Sequence, residues 1–196
     1  PSTRLVRRQR QMCIRDRIYT LASRNKALGK DMSDSVVGTI MTNQGIGEAL
    51  AEIDVGLLRT NVGDKYVSRE LVKENLNVGG ETSGHVIQRE FSESGDANIA
   101  LIQTLTAFSD LDATMTDIQK KINYWPHKLQ SYDVKNEALL SSNEFNQKID
   151  DLQKANNDAR ISVRKSGTEA KVRVMVESPD KSKVDSLFTE IENIIS

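Results

Sequence analysis

Apolar and polar residues alternate along the chain with two different periods, and the switches between them mark its elements. Ile18, Leu21, Ala22 and Leu28 fall on one helical face, closed by Gly29 in the C-cap role. Val36 to Met41 is an apolar run of strand length. Thr42-Asn43-Gln44-Gly45 then turns into a helix with Ile46, Ala49, Leu50 and Ile53 on one side. Val55 to Arg59 predicts the next strand, after which the polar loop Thr60 to Lys65 opens a helix carrying Tyr66, Val67, Leu71 and Val72. Asn77 to His85 sets glycines among polar groups ahead of Val86-Ile87, which predicts tight turns and close backbone approach. Asp96 is placed as the N-cap of a helix whose Ile99, Leu101, Ile102, Leu105 and Phe108 form a broad stripe expected to face the sheet. Strands alternating with helices predict a parallel or mixed sheet, with ligands bound by the loops at the carboxyl ends of its strands.

Leu111 to Asp117 is polar and turn-like, and the domain boundary is expected there, between residues 113 and 114. Beyond it the pattern reads as a short helix around Ile118 to Ile122, a strand from Leu129 to Lys135, a helix from Asn143 to Ala155, two strands joined by a hairpin, and a helix from Lys181 to Ile195. The fold class is therefore α/β plus α+β: an incomplete mixed-sheet α/β domain over 18–113, then a small α+β domain with an antiparallel sheet over 114–196. Tyr124 and Trp125 read as packing residues and His127 as structural or exposed. Lys148, Asp150, Asp151 and Lys154 read as the solvated face of a helix.

Composition narrows the function. A chain of 196 residues with a formal net charge of −1 carries no global signature of a nucleic-acid or membrane-surface protein, so any anion site must be local. Cys13 is the single cysteine, which excludes an internal disulfide framework and a cysteine-rich zinc site, and fits a reducing compartment. No apolar run approaches the roughly 20 residues that cross a bilayer, no signal peptide is read, and a cytoplasmic location is the default. Arg4, Arg7, Arg8, Arg10, Arg15 and Arg17 crowd the start. A nucleic-acid arm is one reading of that density. The preferred one sets residues 1–17 aside as non-native, because Gln11-Met12-Cys13-Ile14-Arg15-Asp16-Arg17 resembles the translated end of a sequencing-library adapter.

The clearest local chemistry is Arg164-Lys165-Ser166-Gly167-Thr168-Glu169, held between the alternating runs Arg160 to Val163 and Val172 to Val176. Gly167 suits a positive φ, Ser166 and Thr168 offer hydroxyls, successive amides form an anion nest, and Arg164 grips a phosphate bidentately. The competing reading is an ordinary solvated hairpin tip. Glu81, Ser83 and His85 read either as a polar ligand-binding loop or as a glycine-rich connection with a capping serine. Asp64 and Lys65 read either as a substrate loop or as a helix start with a capping aspartate. No acid–base pair or nucleophile is obvious in the stretch from Arg164 to Glu169, so it argues for holding a phosphorylated ligand rather than breaking its bonds.

Three motifs, in order, carry a resemblance: Val62-Gly63-Asp64-Lys65-Tyr66-Val67, Gly80-Glu81-Thr82-Ser83-Gly84-His85, and Arg164 to Glu169 followed by Val172-Arg173-Val174-Met175-Val176-Glu177. From about Ile18 to the end the chain resembles the C-terminal half of the bacterial phosphoglucosamine mutase branch of the alpha-D-phosphohexomutase superfamily. The resemblance implies the third and fourth domains of a four-domain cytoplasmic enzyme. That enzyme interconverts glucosamine 6-phosphate and glucosamine 1-phosphate through a phosphoserine and a bisphosphate intermediate, toward UDP-N-acetylglucosamine and peptidoglycan. It implies Glu81, Ser83 and His85 on the sugar, and Arg164, Ser166, Gly167 and Thr168 on its phosphate, with Asp64 and Lys65 in a further substrate loop. The phosphoserine loop and the aspartate-rich magnesium loop of the family have no counterpart in this sequence. Catalytic and metal residues are therefore expected outside it, with Mg2+ in the full-length parent and none on this fragment. The partners implied are a phosphorylated hexosamine and the missing N-terminal domains, with a homodimer open to the full-length protein and neither nucleic acid nor membrane. Lys165 stands where many relatives have proline, Ala170 replaces a usual proline, Asn61 replaces a common basic residue, and Lys65 keeps charge but loses the arginine fork. The alternatives kept are a phosphomannomutase or phosphoglucomutase fragment, and a noncatalytic sugar-phosphate-binding module.

Overall fold

A computed structural model describes residues 16–30, 34–133, 142–165 and 171–195. The first fifteen residues, with Cys13 and the arginines up to Arg15, lie outside them. Two compact units divide between Asn123 and Tyr124.

The first unit opens with a helix over 16–27 (α1). Gly29, at φ 60°, ends it, and the Leu28, Gly29 and Lys30 amides bond back to the carbonyls of Arg24, Lys26 and Asn25, as a glycine C-cap should. There follow β1 (Ser35–Thr39), α2 (Gln44–Ala51), β2 (Gly56–Thr60), α3 (Asp64–Lys73), β3 (Val78–Gly80), β4 (Val86–Gln88), α4 (Ala97–Asp110) and α5 (Met115–Lys121). The sheet order is β2-β1-β3-β4, with β1 parallel to β2 and β3, and β4 antiparallel on the edge. This is the expected mixed sheet.

Val37 and Ile87 meet Val67 and Leu71 of α3 and Leu76 on one face. Val36 is buried on the opposite face of β1, where alternation turns successive side chains to opposite sides. The glycine-rich run, expected to make tight turns and a close backbone approach, contains a strand, β3. A Cβ on Gly79 would lie 2.7 Å from Val67 Cγ1, so glycine is what lets α3 settle onto this strand.

Three expectations shift. Part of the α4 stripe faces outward: Leu101, Ile102 and Leu105 are 49%, 59% and 58% exposed and Ile99 and Phe108 half-buried, while Ala100, Thr104 and Ala107 are buried. Arg24 of α1 ties α4 down through Asp110 (2.6 Å) and Gln103 (3.0 Å). The boundary expected at 113/114 lies about ten residues later in the compact division. Thr114 and Asp117 there form a capping box that starts α5, whose Ile118 is buried in the first unit. The folded unit also includes Asp16 and Arg17, ahead of the expected start at Ile18: Asp16 is fully buried and accepts from Gln119 Nε2 at 3.2 Å.

The second unit contains β5 (His127–Asp133), α6 (Asn143–Ala155), β6 (Arg160–Lys165), β7 (Lys171–Glu177) and α7 (Lys181–Ile195). Its antiparallel sheet has the order β5-β7-β6. Val172, Val174 and Val176 of the central strand pack with Leu152 of α6 and with Val184, Leu187, Phe188 and Ile191 of α7. Both helices therefore cover one face of the sheet, and alternation turns Arg164, Arg173 and Ser131 to the other.

Candidate functional site

Because β1, β2 and β3 are parallel, the loops after Thr39, Thr60 and Gly80 leave from one edge of the first sheet. β2 and β3 flank β1, so the loops holding Val62-Gly63 and Glu81 to His85 start about 10 Å apart, two strand spacings. This carboxyl edge is where open α/β sheets bind ligands.

The loop from Glu81 to His85 joins β3 to β4. The Glu81 amide donates to the His85 carbonyl (3.0 Å) and the Gly84 amide to the Glu81 carbonyl (3.2 Å). Gly84 sits at φ 129°, which strains any other residue, and a Cβ on Gly80 would lie 2.8 Å from the His85 carbonyl oxygen. Inside this turn the Ser83 hydroxyl donates to the Glu81 carboxylate. His85 Nδ1 lies 3.0 Å from Ser83 Oγ and 3.4 Å from Glu81 Oε1. With its own proton on Glu81, Ser83 Oγ accepts from His85 Nδ1–H, and Nε2 remains outside the cluster. The Glu81 side chain is 9% exposed and that of His85 53%. A carboxylate thus forms the floor, with serine and imidazole at the rim.

These residue types also occur in nucleophilic triads, but the bonding differs. A triad serine gives its proton to histidine. Here the serine gives it to the carboxylate, so the cluster is a polar platform rather than an activated nucleophile. Its outward groups suit hydrogen bonds to hydroxyls.

On the neighbouring loop, Gly63 at φ 134° occupies the N-cap of α3 and makes no side-chain cap bond. Asp64 is therefore the first helical residue rather than the cap. Its Oδ1 accepts from the Lys65 amide (2.8 Å), and Lys65 Nζ lies 4.9 Å from the Tyr66 ring centroid. Both side chains are exposed on the binding edge. Among the described residues no group of three or more His, Cys, Asp or Glu side chains is placed to hold a metal ion such as magnesium.

In the second unit Arg164 is the penultimate residue of β6, and Ser166, Gly167 and Thr168 lie outside the described residues. Arg164 stands directly across from Arg173 on β7. Burial, and then the positive charge of Arg173, push the Arg164 guanidinium below its ordinary range. Two cations facing each other across a strand pair repel, and an anion between them relieves the repulsion through charge-assisted bonds. Sequence reading singled out Arg164 alone. Counting outward from the loop along both strands would have paired it with Arg173.

Two family models match the chain: the phosphoglucomutase/phosphomannomutase alpha/beta/alpha domain III over residues 15–124, and the phosphoglucomutase/phosphomannomutase C-terminal domain over residues 128–194. A phosphoglucosamine mutase of Thermosipho africanus is 36% identical over 87% of the chain and 39% of its own length. One from Thermotoga maritima is 34% identical over 97% of the chain and 44% of its own length. The chain therefore spans about two fifths of the length of such relatives. Among solved structures, an N-acetylglucosamine-phosphate mutase in its substrate complex superposes with a TM-score of 0.75 at 21% identity, covering 92% of this chain and 43% of that one. The Aspergillus fumigatus N-acetylphosphoglucosamine mutase in complex with GlcNAc-6P and magnesium gives 0.74 at 22%, covering 92% and 46%. At that identity the likeness establishes the fold.

Proposed function

Because the chain belongs to the phosphoglucomutase/phosphomannomutase family, of which it carries domain III and the C-terminal domain, we propose that it is the substrate-recognition part of a phosphoglucosamine mutase. The observation that carries this reading is the Glu81–Ser83–His85 platform on the carboxyl edge of the domain III sheet. Its support is the phosphoglucosamine mutase name borne by relatives at 31–36% identity.

In this reading the parent protein interconverts glucosamine 6-phosphate and glucosamine 1-phosphate. A serine phosphate elsewhere in the parent passes its phosphoryl group to the free sugar hydroxyl, giving a bisphosphate. The other phosphate then returns to the serine. Magnesium, expected on domains of the parent outside this chain, would supply charge neutralisation for that transfer. The chain's own residues orient the sugar and hold the phosphate that is not reacting, since phosphoryl transfer depends mostly on positioning and electrostatics. Glu81 and Ser83 accept or share hydrogen bonds with sugar hydroxyls, and His85 adds its outer ring nitrogen. Arg164 and Arg173, with the loop of Ser166, Gly167 and Thr168, hold the phosphate. Asp64 and Lys65 contribute from the adjacent loop.

The test is a coupled mutase assay on the full-length parent offered glucosamine, mannose and glucose phosphates. Preferential turnover of glucosamine phosphates supports the reading, preference for mannose or glucose phosphates transfers it to the sister activities, and a folded parent inactive on all three overturns it. The partial span relative to the relatives favours a second reading for the isolated chain, a noncatalytic sugar-phosphate-binding module. Calorimetry of the chain and of Arg164→Ala with glucosamine 1,6-bisphosphate checks it: a weaker variant supports the module, and equal affinities or no binding by either rejects it.

A further inference from the structure

Three loops leave the carboxyl edge of the first sheet, and the candidate site uses the outer two. The third, from Ile40 to Asn43 between β1 and α2, starts from the strand between them. It is polar yet closed off, with Thr39, Thr42 and Asn43 only 0%, 2% and 2% exposed. Part of its bonding closes on its own backbone. The Thr42 amide donates to the Thr39 carbonyl (2.8 Å), the Met41 amide to Thr39 Oγ1 (3.2 Å), and the Thr39 amide to Thr42 Oγ1 (3.0 Å). A Cβ on Gly38 would lie 2.5 Å from that last oxygen, so the Thr42 hydroxyl folds back into space that glycine leaves open.

This turn reaches both outer loops. On the β2 side the Ile40 amide donates to the Thr60 carbonyl (2.8 Å), Thr60 Oγ1 donates to the Gly38 carbonyl (3.2 Å), and Arg59 Nη2 donates to Gln44 Oε1 (2.8 Å). Thr60 leads directly into the loop of Asn61 to Lys65. Successive backbone amides of a strand point to opposite neighbours, so with Ile40 directed at β2 the Thr39 amide points to the β3 side. There β1 is in register with β3 at Val37 and Gly79, and two residues further along both strands Thr39 comes level with Glu81. Thr42 Oγ1 thus takes an amide that would otherwise continue the ladder toward Glu81, at the level where the chain turns away to form the Glu81 to His85 loop.

We infer that Thr42 is a positioning residue for sugar-phosphate binding: its hydroxyl oxygen, held on the Thr39 amide, sets where the Asn61 to Lys65 loop and the Glu81 to His85 loop stand relative to each other. The inference rests on the proposed reading of those two loops as substrate loops. Buried as it is, Thr42 acts through its neighbours and not on the substrate.

Four variants test it. Thr42→Val keeps the side-chain shape and removes the acceptor, Thr42→Ala removes it with less crowding, and Thr42→Ser retains it. Val36→Ala, also buried on β1 but toward the amino edge, controls for lost stability alone. In the full-length parent, kcat/KM for glucosamine 6-phosphate should fall about tenfold or more in the valine and alanine variants and stay within about threefold in Thr42→Ser and Val36→Ala, since a small misplacement of bound substrate is that costly. In the 196-residue chain, hydrogen exchange of the Thr39, Ile40 and Glu81 amides should quicken several-fold in the same two variants and not in Thr42→Ser. Unchanged exchange at Ile40 and Glu81 overturns the inference. So does an equal loss of kcat/KM in Val36→Ala, which makes Thr42 a matter of stability, or in Thr42→Ser, which removes the hydroxyl from the explanation. An active parent unmoved by Thr42→Val and Thr42→Ala refutes the positioning role alone. A wild-type parent inactive on sugar phosphates, with exchange altered as expected, refutes the functional reading and leaves Thr42 as the residue that sets the two loops.

Discussion

Replacing Arg173 by glutamine should make the second unit more stable and the parent enzyme a weaker binder. Arg173 and Arg164 are directly opposed across β7 and β6, and like charges in that position are unfavourable by roughly 0.2–1 kcal/mol. Arg173→Gln removes the repulsion and keeps most of the aliphatic stem. Unfolding of the chain in phosphate-free buffer should therefore require as much as about 1 kcal/mol more. The gain should shrink as salt screens the pair. Binding moves the other way. A hydrogen bond to a charged group contributes about 1.5–3 kcal/mol, so losing the guanidinium should weaken sugar-phosphate binding roughly 10- to 150-fold. Urea titration gives the first quantity, read by fluorescence of Trp125, the single tryptophan, which lies in the second unit. Calorimetry of the full-length parent with glucosamine 6-phosphate gives the second. A variant that is less stable without phosphate and binds as well as the wild type would refute the idea that this pair is held apart for an anion.

Ser83→Ala should raise the KM of the parent for sugar phosphate while leaving urea stability of the chain within about 1 kcal/mol, since the lost hydroxyl sits at an exposed rim; steady-state kinetics separates the two. Gly80→Ala should destabilise the first unit by about 1–3 kcal/mol, because its Cβ meets the His85 carbonyl oxygen, and hydrogen exchange of the Glu81 amide should rise with it. Phe188→Ala, emptying a fully buried site in the second core, should cost about 3–5 kcal/mol by the same urea assay. Burial, with the Glu192 carboxylate beside it, raises the Tyr132 hydroxyl above its ordinary value near 10. The unfolded chain therefore gives up this proton first, and the stability contribution, complete below pH 10, should decline as pH rises beyond it. Tyr132→Phe should flatten that alkaline decline.

What the sequence made legible followed local rules. Asp96 caps α4 as expected, Gly29 closes α1, and the runs around Val36, Leu57 and Val174 are strands, because capping chemistry and two-residue alternation act over a few positions. Glu81, Ser83 and His85 were found, but that serine bonds to the carboxylate is a property of the turn that Gly80 and Gly84 permit. The misread elements depended on distant partners. Hydrophobicity predicts Leu101, Ile102 and Leu105 of α4 inward, whereas the residues buried there are the smaller Ala100, Thr104 and Ala107, a choice made by packing with elements distant in sequence. Asp16 reads in the sequence as part of the basic start, and its bond with Gln119, far along the chain, places it within the fold. Arg173 reads in the sequence only as part of a strand motif, because its pairing with Arg164 depends on hairpin register, which fixes who faces whom.

The loop of Glu81, Ser83 and His85 is closed by hydrogen bonds among its own side chains. Immobilising a side chain on binding costs about 0.5–1.5 kcal/mol each, and for these three the loss of rotamer freedom occurs when the domain folds. A ligand that meets this loop thus encounters a preset pattern of donors and acceptors. Its association there should be governed by dehydration and by the match of its hydroxyls to that pattern, with little rearrangement of the protein.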